Sequence, residues 1–348
     1  MNWGLGHASR CVPLIRELLL HNIEVVIAAD GRALQLLRNE FPQLKWFQLG
    51  GYDINYSGSG GAVFQILVQL PKFFLSFFSE RKWLNEFIAK EKIDIVISDN
   101  RYGLYNRKIF SVFIAHQICI QLPIGFKWME GFLYRINKNF ISRFNECWMP
   151  DVADEKNLSG NLAHQFPIPP NTFFIGPLSR FKFLEKVKHY DLLMVISGPE
   201  TQRTEFEELL TEQAKKLPLK ILMVRGIPES NHREQVTENF LKVDFMNAEE
   251  LNHAFLSSKI IVARSGYSTV MDLVATKSRA ILIPTPGQTE QEYLAEYLQS
   301  QNIFYSQKQN SLNLIKAIEK AKGFNNINVE VINNIERRIT QLLEGNTV

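Results

Sequence analysis

Apolar residues along the chain follow two alternating patterns: short runs rich in Val, Ile and Leu, and longer stretches in which apolar residues return at helical spacing. The short runs predict eight strands: Glu24–Ala28, Ile93–Ser98, Phe110–Ala115, Glu146–Met149, Leu192–Ser197, Lys220–Arg225, Ile260–Ala263 and Ala280–Pro284. The amphipathic stretches predict six helices between them: Ala8–Leu20, Phe64–Glu91, Thr204–Leu217, Glu249–Ser257, Thr269–Ala275 and Gln291–Gln299. Strands that alternate with helices in this way favour parallel sheets, so each half is predicted to be a doubly wound, Rossmann-like α/β domain.

A proline-rich segment separates the two halves. Phe166–Pro177 contains four prolines, and a chain of 348 residues is longer than one hydrophobic core usually grows. We therefore expect an N-terminal domain over residues 1–178 and a C-terminal domain over residues 179–325. Apolar residues at helical spacing within residues 326–348 predict a final amphipathic helix that docks near the domain junction.

The beginning of the chain is short for a Rossmann-like domain. Only Met1, Asn2 and Trp3 precede Gly4, whereas a first strand usually has about five residues. Either this strand is missing or truncated, or the natural start lies upstream. We favour the second, because losing a central parallel strand would leave backbone groups of its neighbours unpaired.

Composition and charge exclude several classes of protein. Apolar residues make up 45% of the chain and charged residues 22%, which is typical of a globular protein. The formal charge of +3 and the absence of Arg-rich runs argue against a nucleic-acid partner. Cys11, Cys119 and Cys147 are odd in number and far apart, so neither a disulfide framework nor a zinc site is expected.

No membrane span or secretory signal is predicted. The most apolar windows, residues 62–78 and 109–126, are interrupted by glutamines and prolines, and the N-terminus lacks a basic region followed by an apolar core. We expect a cytoplasmic protein.

A glycine-rich turn leads into the first predicted helix. Gly4 and Gly6 let the backbone turn tightly and approach a ligand, and the N–H groups of the helix start attract an anion or a polar acceptor. His7 follows, and an imidazole can take a proton from an attacking hydroxyl. The alternative is that His7 only caps the helix or bonds a neighbouring carbonyl.

Two further polar groups follow predicted strands of the first half. Asp99 and Arg101 follow one strand, and His116 and Gln117 follow the next. Open α/β sheets bind ligands at the carboxyl ends of their strands, so these residues are expected around an acceptor with His7. The alternative is that Asp99 and His116 satisfy buried backbone groups.

The second half repeats the arrangement of strand, small-residue turn and helix. The turn Arg264-Ser265-Gly266 ends a strand, and Ser268 and Thr269 open the next helix, whose N–H groups can hold a diphosphate. Asp272 lies one turn later and can accept bonds from ribose hydroxyls. The alternative for Asp272 is an ordinary acid that favours the helix dipole.

Two other loops are expected at the same edge of this sheet. Gln288, Gln291 and Glu292 follow the next strand and can bind sugar hydroxyls, and Ser197 and Gly198 end the first strand of the domain.

These motifs resemble the GT-B nucleotide-sugar glycosyltransferases, in particular the group that contains the lipid-linked peptidoglycan N-acetylglucosaminyltransferase and its uncharacterised bacterial relatives. Arg264 to Asp272 resembles the diphosphate and ribose segment of that family, with Asp272 where the family usually has Glu. Gln291 and Glu292 fall where the family has a Gln pair that contacts the donor sugar. Phe245-Met246 matches the place where backbone groups pair with uracil.

The resemblance implies two Rossmann-like domains that face each other across a cleft, and inverting, metal-independent hexosyl transfer from a UDP-sugar to a hydroxyl, with no other cofactor. The residues implied for the donor are Ser197, Gly198, Arg225, Phe245, Met246, Arg264, Ser265, Gly266, Ser268, Thr269, Asp272, Gln288, Gln291 and Glu292. Those expected at the acceptor are Gly4, Gly6, Arg101 and Gln117, with His7, His116 and Asp99 as candidate bases. An epimerase or hydrolase of the same fold, or a non-catalytic nucleotide-sugar-binding protein, are the alternatives.

The acceptor is expected to be a cell-envelope glycan or a lipid-linked sugar. An apolar stretch flanked by Lys72, Arg81 and Lys82 can rest on the inner face of a membrane. Its apolar residues are Val63, Leu67, Leu70, Phe73, Phe74, Phe77 and Phe78. The alternative is a core helix of the first domain.

Overall fold

The computed structural model describes residues 6–50, 62–122, 124–154, 156–324 and 334–345, with the backbone alone at residues 62–74 and 124. The chain divides into two compact units: residues 1–178 together with 332–348, and residues 179–331. The shortened first strand expected from the sequence falls on residues 1–5, outside the described residues.

The described residues of the first unit form two parallel sheets. Its described strands are β1 (Val26–Ala29), β2 (Lys45–Gln48), β3 (Ile95–Asp99), β4 (Phe110–Ile114), β5 (Glu146–Met149) and β6 (Thr172–Phe174). Its described helices are α1 (Gly6–Leu20), α2 (Gly31–Glu40), α3 (Ala62–Glu91), α4 (Glu130–Ile141), α5 (Asn161–His164) and α11 (Ile335–Gly345), and a 3-10 turn, Ile124–Met129, precedes α4. β1 pairs with β2, and β3, β4, β5 and β6 form the second sheet in that order.

The second sheet is buried because its central strands are almost wholly apolar. Val112 and Phe113 on β4 and Trp148 on β5 have no exposed surface, which is typical of parallel strands covered on both faces. β3 and β4 run parallel with Asp99 opposite Ile114, so the two strands end at the same edge of the sheet.

The C-terminal helix α11 packs on the first unit. Ile339 and Leu342 are buried, and the guanidinium of Arg338 lies 3.5 Å from the centre of the Phe173 ring. The same guanidinium donates to both carboxylate oxygens of Glu146 on β5. The sequence predicted this helix within residues 326–348; it begins at Ile335 and belongs with the first unit.

The second unit is one seven-stranded sheet with helices. Its strands are β7 (Tyr190–Val195), β8 (Ile221–Val224), β9 (Arg233–Thr237), β10 (Phe240–Val243), β11 (Ser258–Ala263), β12 (Ala280–Leu282) and β13 (Tyr305–Ser306). Its described helices are α6 (Gln202–Ala214), α7 (Ala248–Leu256), α8 (Tyr267–Ala275), α9 (Thr289–Ser300) and α10 (Leu314–Ala321), with a 3-10 turn at Gln309–Ser311.

The strand order of this sheet is β13-β12-β11-β7-β8-β10-β9, and only β9 is antiparallel to its neighbour. The first strand, β7, therefore lies at the centre, with β8 and β10 on one side and β11, β12 and β13 on the other. The chain reverses its direction of travel between β7 and β11, and such a switch point opens a crevice at the carboxyl ends of the strands.

All eight predicted strands and all six predicted helices are present, each shifted by at most a few residues. The sequence missed several shorter elements, among them β9 and β10. β9 is polar and largely exposed, and β10 includes the buried Lys242, whose Nζ lies 3.5 Å from Oε1 of Glu207. A charged residue inside a four-residue strand conceals the apolar pattern.

The apolar stretch expected at a membrane belongs to α3, and its described side chains are partly buried and partly exposed. Phe77 packs in the core of the first unit, whereas Phe78 is exposed. Arg81 stacks on the ring of Tyr105 and donates to the Tyr105 carbonyl. The side chains of residues 63–74 lie outside the described residues. Within the described residues, no helix combines the length and hydropathy required to cross a membrane.

Candidate active site

Four polar side chains meet at the carboxyl edge of the β3–β4 sheet. α1 supplies His7 and Arg10 from its first two turns, β3 supplies Asp99 from its last residue, and His116 follows β4. Nδ1 of His7 lies 3.1 Å from Oδ2 of Asp99, and Nη1 of Arg10 lies 2.8 Å from Nδ1 of His116. The three candidate bases predicted from the sequence are therefore brought together, around an arginine.

Asp99 is held as a carboxylate. Arg10 donates to both of its oxygens, through Nε at 3.0 and 3.1 Å and through a shorter bond from Nη2. Burial alone would raise the pKa of Asp99, but the charges of Arg10 and His7 and their hydrogen bonds outweigh it and hold this pKa well below its ordinary range. A carboxylate so strongly stabilised is a poor proton acceptor.

His7 is held neutral. Burial, followed by the positive charge of Arg10, lowers the pKa of His7, and the carboxylate of Asp99 opposes this only in part. Nδ1 faces Asp99 and also lies 2.9 Å from Nη2 of Arg10, whereas Nε2 bonds to none of the described residues. When Nδ1 carries its hydrogen toward Asp99, Nε2 offers a lone pair to an incoming proton.

The residues predicted to bind the acceptor have other partners where they are described. Arg101 is buried, forms ion pairs with Glu80 and Asp30, and donates to the carbonyl of Gly50, so it holds the unit together. Gln117 donates to the carbonyl of Cys119.

Of the two glycines in the predicted acceptor turn, the structure describes Gly6. Gly6 is the first residue of α1, and its carbonyl accepts from the Ser9 hydroxyl. Gly4 lies outside the described residues. Gly6 therefore shapes the start of the helix that presents His7 and Arg10.

Arg10 is the residue of this cluster that the sequence reasoning did not assign. It follows His7 by three positions on a helix, and residues at this spacing lie on the same face. The three-residue spacing could therefore have placed Arg10 beside His7 from the sequence.

In the second unit, the start of α8 lies at the switch point between β7 and β11. Gly266 is the N-cap, so it has no side chain to bond the N–H groups of the first turn, and that turn contains no acid. Such a helix start attracts an anion. The Ser265 hydroxyl instead donates to the Gln291 carbonyl at 2.8 Å, which fastens α9 beside α8.

Asp272 lies on α8 and accepts a hydrogen bond of 2.5 Å from the Ser179 hydroxyl. Burial raises the pKa of Asp272 to about 6, although the Ser179 bond and the charge of Arg180 oppose the shift. The carboxyl therefore becomes ionised just below neutral pH.

The loop after β12 is organised by the residues predicted to contact the donor sugar. Oε1 of Gln291 accepts from the Thr285 N–H at 2.9 Å, and its Nε2 donates to Gln288. Oε1 of Glu292 accepts from the Gly287 N–H at 3.1 Å. These side chains fix the shape of the loop.

These features of the second unit coincide with a known domain. Residues 192–338 match the Glycosyltransferase family 28 C-terminal domain. The match covers every strand of the second unit except the start of β7, and it includes the switch point, Asp272 and the loop after β12.

Whole-chain comparisons agree with this match. The chain is 26% identical over 332 residues to an uncharacterized glycosyltransferase of Methanosarcina acetivorans, covering 85% of this chain and 79% of the relative. The structure of MurG from Acinetobacter baumannii has a TM-score of 0.59 at 14% identity and covers 98% of this chain and 96% of that one. The chain therefore has the GT-B fold, and the matches support a glycosyltransferase.

The same fold also occurs in epimerases. A UDP-GlcNAc 2-epimerase from Neisseria meningitidis, bound to UDP-GlcNAc, has a TM-score of 0.57 at 15% identity and covers 97% of each chain. The two TM-scores are nearly equal, so the fold alone does not distinguish transfer from epimerisation.

Both arginines predicted to contact the donor have internal partners. Arg264 is buried, stacks 3.8 Å over the Phe206 ring and donates to the carbonyls of Ile283, Pro284 and Gln202. Its guanidinium thus connects the loop after β12 to the first residue of α6. Burial lowers the pKa of Arg264 to about 10, so it stays charged at neutral pH.

Arg225 is bound by two carboxylates. Its Nε lies 2.8 Å from Glu207 and its Nη1 lies 2.7 Å from Asp244. Both arginines therefore act here as organisers of the strand ends.

The remaining predicted donor residues line the same edge. Phe245 lines a cavity of about 310 Å³ with Asn231, Arg233, Val243, Asn247 and Glu250, and Met246 is its half-buried neighbour. Ser197 and Gly198 are exposed after β7, and Gly198 has a positive φ of 119°, which favours glycine. Within the described residues, no group of three or more His, Cys, Asp or Glu side chains is arranged to hold a metal ion.

Proposed function

We propose that the protein is an inverting, metal-independent glycosyltransferase that moves a hexose from a UDP-sugar to a hydroxyl acceptor. The observation that carries the proposal is His7, a neutral imidazole whose Nδ1 faces the carboxylate of Asp99 at 3.1 Å while its Nε2 bonds to none of the described residues. This is the arrangement that a general base needs. The switch point of the family 28 domain supports the donor side of the proposal.

The proposed reaction transfers one proton, forms one C–O bond and breaks another. Nε2 of His7 takes the proton of the acceptor hydroxyl, and its Nδ1–H donates to Asp99, which remains ionised. The oxygen attacks the anomeric carbon from the face opposite the nucleotide, so the bond between this carbon and the diphosphate oxygen breaks with inversion. The electron pair leaves with the nucleoside diphosphate, whose charge the N–H groups at the start of α8 stabilise.

The proposed donor contacts follow from the same edge of the second unit. The diphosphate lies at Gly266, Ser268 and Thr269, and the ribose hydroxyls bond to the carboxylate of Asp272. Phe245 lines the cavity of about 310 Å³ that would hold the uracil, and Met246 is its neighbour in the chain. Gln291 and Glu292 hold the loop that borders the sugar.

The first experiment tests donor binding and transfer separately. UDP, dTDP and GDP are compared by thermal shift, because a ligand that binds only the folded state raises the melting temperature. A UDP-sugar panel is then assayed for transfer to glycan acceptors, with the anomeric configuration of the product read by NMR. We expect UDP to give the largest shift and the product to be inverted.

The His7→Ala variant tests the base. We expect it to keep the UDP thermal shift and to lose roughly 10²- to 10⁴-fold in kcat. His21→Ala, near the other end of α1, is the matched control and should keep the wild-type rate. Full transfer by His7→Ala would refute the role of His7, and an epimer or free sugar as the product would replace transfer by epimerisation or hydrolysis.

We also propose that the acceptor is lipid-linked and that the protein acts in the cytoplasm at the inner face of a membrane. An apolar stripe on the 3-10 turn and α4 supports this: Trp128 is 80% exposed, Phe132 58% and Ile136 40%, at intervals of four residues. Lys127 and Arg135 are exposed beside it. Apolar residues flanked by cations favour an anionic lipid surface.

Vesicle flotation tests this contact. We expect the wild type to float with vesicles of phosphatidylglycerol and phosphatidylcholine, and a Trp128→Gln/Phe132→Gln variant to stay at the bottom. Leu20→Gln removes an equally exposed apolar side chain from the end of α1 and should still float. A wild type that does not float would end the membrane proposal and leave the transferase proposal intact.

A further inference from the structure

Arg10 contacts all three of the other polar groups in the active-site cluster. Its side chain is only 2% exposed. It donates to Asp99 through Nε and Nη2, approaches Nδ1 of His116 at 2.8 Å through Nη1, and approaches Nδ1 of His7 at 2.9 Å through Nη2. A guanidinium has only donors, so Nδ1 of His116 must accept from Arg10. Nδ1 of His7 differs because it also faces an acceptor, Oδ2 of Asp99 at 3.1 Å, to which it can donate.

We propose that Arg10 is a positioning residue that divides the proton-transfer roles of the two histidines: it fixes His116 with its hydrogen on Nε2, as a hydrogen-bond donor, so that His7, whose Nδ1 faces Asp99, is the one of the two that acts as the base. This inference rests on the function proposed above and goes beyond it, because it assigns separate roles to the two histidines.

The argument for His116 is one of valence. Arg10 Nη1 can only donate, so Nδ1 of His116 must accept and carries no hydrogen. A neutral imidazole with a free electron pair on Nδ1 has its hydrogen on Nε2. His116 therefore has no nitrogen left to accept a proton from a substrate, and a second proton on Nδ1 would point at a cation.

The argument for His7 is one of charge. Its neighbours are Arg10, Asp99 and His116, together with the Cys11 thiol, which donates to Asp99 at 3.6 Å. Burial raises the pKa of Cys11, so this thiol is neutral. Arg10 is thus the cation that opposes protonation of His7 at rest, while Asp99 is the anion that receives Nδ1–H when Nε2 takes a proton.

Two substitutions separate these effects. Arg10→Lys keeps the charge beside Asp99 but lacks the planar fork that reaches both Asp99 and His116. Arg10→Gln removes the charge. Both should release the tautomer of His116, whereas only Arg10→Gln should change the electrostatic environment of His7.

The first readout needs no substrate. In long-range ¹H–¹⁵N spectra of histidine-labelled wild-type protein, with His7→Gln and His116→Asn variants for assignment, we expect neutral His116 to carry its hydrogen on Nε2 alone. In Arg10→Lys we expect a mixture of tautomers. Arg16→Gln on the exposed side of α1 is the matched control and should give the wild-type pattern.

The second readout is the pH dependence of kcat/KM. Without the cation, Asp99 attracts a proton to His7 unopposed, so the acidic limb should move to higher pH by roughly one pH unit in Arg10→Gln and stay in place in Arg10→Lys. Wild-type spectra with a hydrogen on Nδ1 of His116, or an unchanged His116 tautomer in Arg10→Lys, would overturn the inference. An enzyme with no transferase activity but the expected spectra would refute the proposed function and leave the tautomer assignment standing.

Discussion

Asp272 provides a test in which stability and function are expected to move in opposite directions. The residue lies on α8, next to the proposed nucleotide site, and its carboxylate accepts a hydrogen bond of 2.5 Å from the Ser179 hydroxyl. Asp272→Asn keeps an oxygen for this bond and nearly the same volume, but the side chain can no longer ionise. The substitution therefore isolates the cost of a buried negative charge.

The magnitude follows from the pKa of Asp272, which burial raises from an ordinary 3.8 to about 6. At about 1.4 kcal/mol for each pKa unit, the difference amounts to roughly 3 kcal/mol. Because the folded-state pKa is the higher one, the unfolded chain loses its proton first as the pH rises, so the stabilising contribution is complete below pH 3.8 and is lost by about pH 6. We expect Asp272→Asn to match the wild type near pH 4 and to be more stable by about 3 kcal/mol at pH 7.

The assay uses the distribution of tryptophan. All five tryptophans lie within residues 1–178, so urea unfolding followed by tryptophan fluorescence reports the first unit, whereas far-ultraviolet circular dichroism reports both. If the units unfold separately, the stabilisation should appear in the unfolding transition of the second unit, which dichroism detects and fluorescence does not. If the units unfold together, it should appear in both signals. Binding of UDP should weaken in the same variant, since the ribose would lose a carboxylate acceptor.

Asp191→Asn is the control of opposite sign. Hydrogen bonds from Lys259 and the Lys220 backbone lower the pKa of Asp191, so its contribution to stability is present at pH 7 and lost as the pH falls. Asp191→Asn should therefore be less stable than the wild type at pH 7. An Asp272→Asn variant that is equal to or less stable than the wild type at pH 7 would refute the reasoning from burial.

Three further substitutions test the packing that positions the two sites. Arg338→Ala should lower the free energy of unfolding of the first unit by about 3 kcal/mol in urea denaturation, because the buried Glu146 carboxylate loses its cation; Arg338→Lys should restore part of it. Gly103→Ala should cost about 2 kcal/mol by the same assay, since a Cβ there would lie 2.5 Å from the Phe77 carbonyl oxygen. Arg264→Met should cost about 3 kcal/mol and, by freeing the loop after β12, weaken UDP binding in calorimetry; a stable variant with normal affinity would contradict the organising role.

The elements found from the sequence are those whose apolar pattern is local. β4 and β11 are continuous apolar runs, and α8 follows β11 through a small-residue turn, so their existence and order were predicted. Strands such as β10 could not be predicted in the same way, because Lys242 is tolerated inside only through Glu207, which is distant in the sequence.

The sequence predicts that the three candidate bases lie together, but it does not predict which of them accepts a proton. His7, Asp99 and His116 were grouped because parallel strands bring their carboxyl ends to one edge, and the structure brings the three together. The sequence could not rank them as bases, since the ranking depends on where one guanidinium points. Arg10 lies among them only because the first two turns of α1 face the ends of β3 and β4.

The two arginines expected at the donor also show that partners from other elements decide the role of a residue. Arg225 is paired with Glu207 and Asp244 through Nε and Nη1, and the Nη1 and Nη2 atoms of Arg264 donate to three backbone carbonyls, so both guanidinium groups are already engaged with the protein. A cation without such partners at a strand end would be the obvious ligand for a leaving diphosphate, but the sequence does not reveal partners from other elements. In the proposed reaction the stabilisation of the leaving group therefore falls to the backbone N–H groups after Gly266, because Gly266, the N-cap, has no side chain and the first turn contains no acid. A Gly266→Asp substitution would put a carboxylate at that place, and it should abolish UDP binding while leaving α8 better capped.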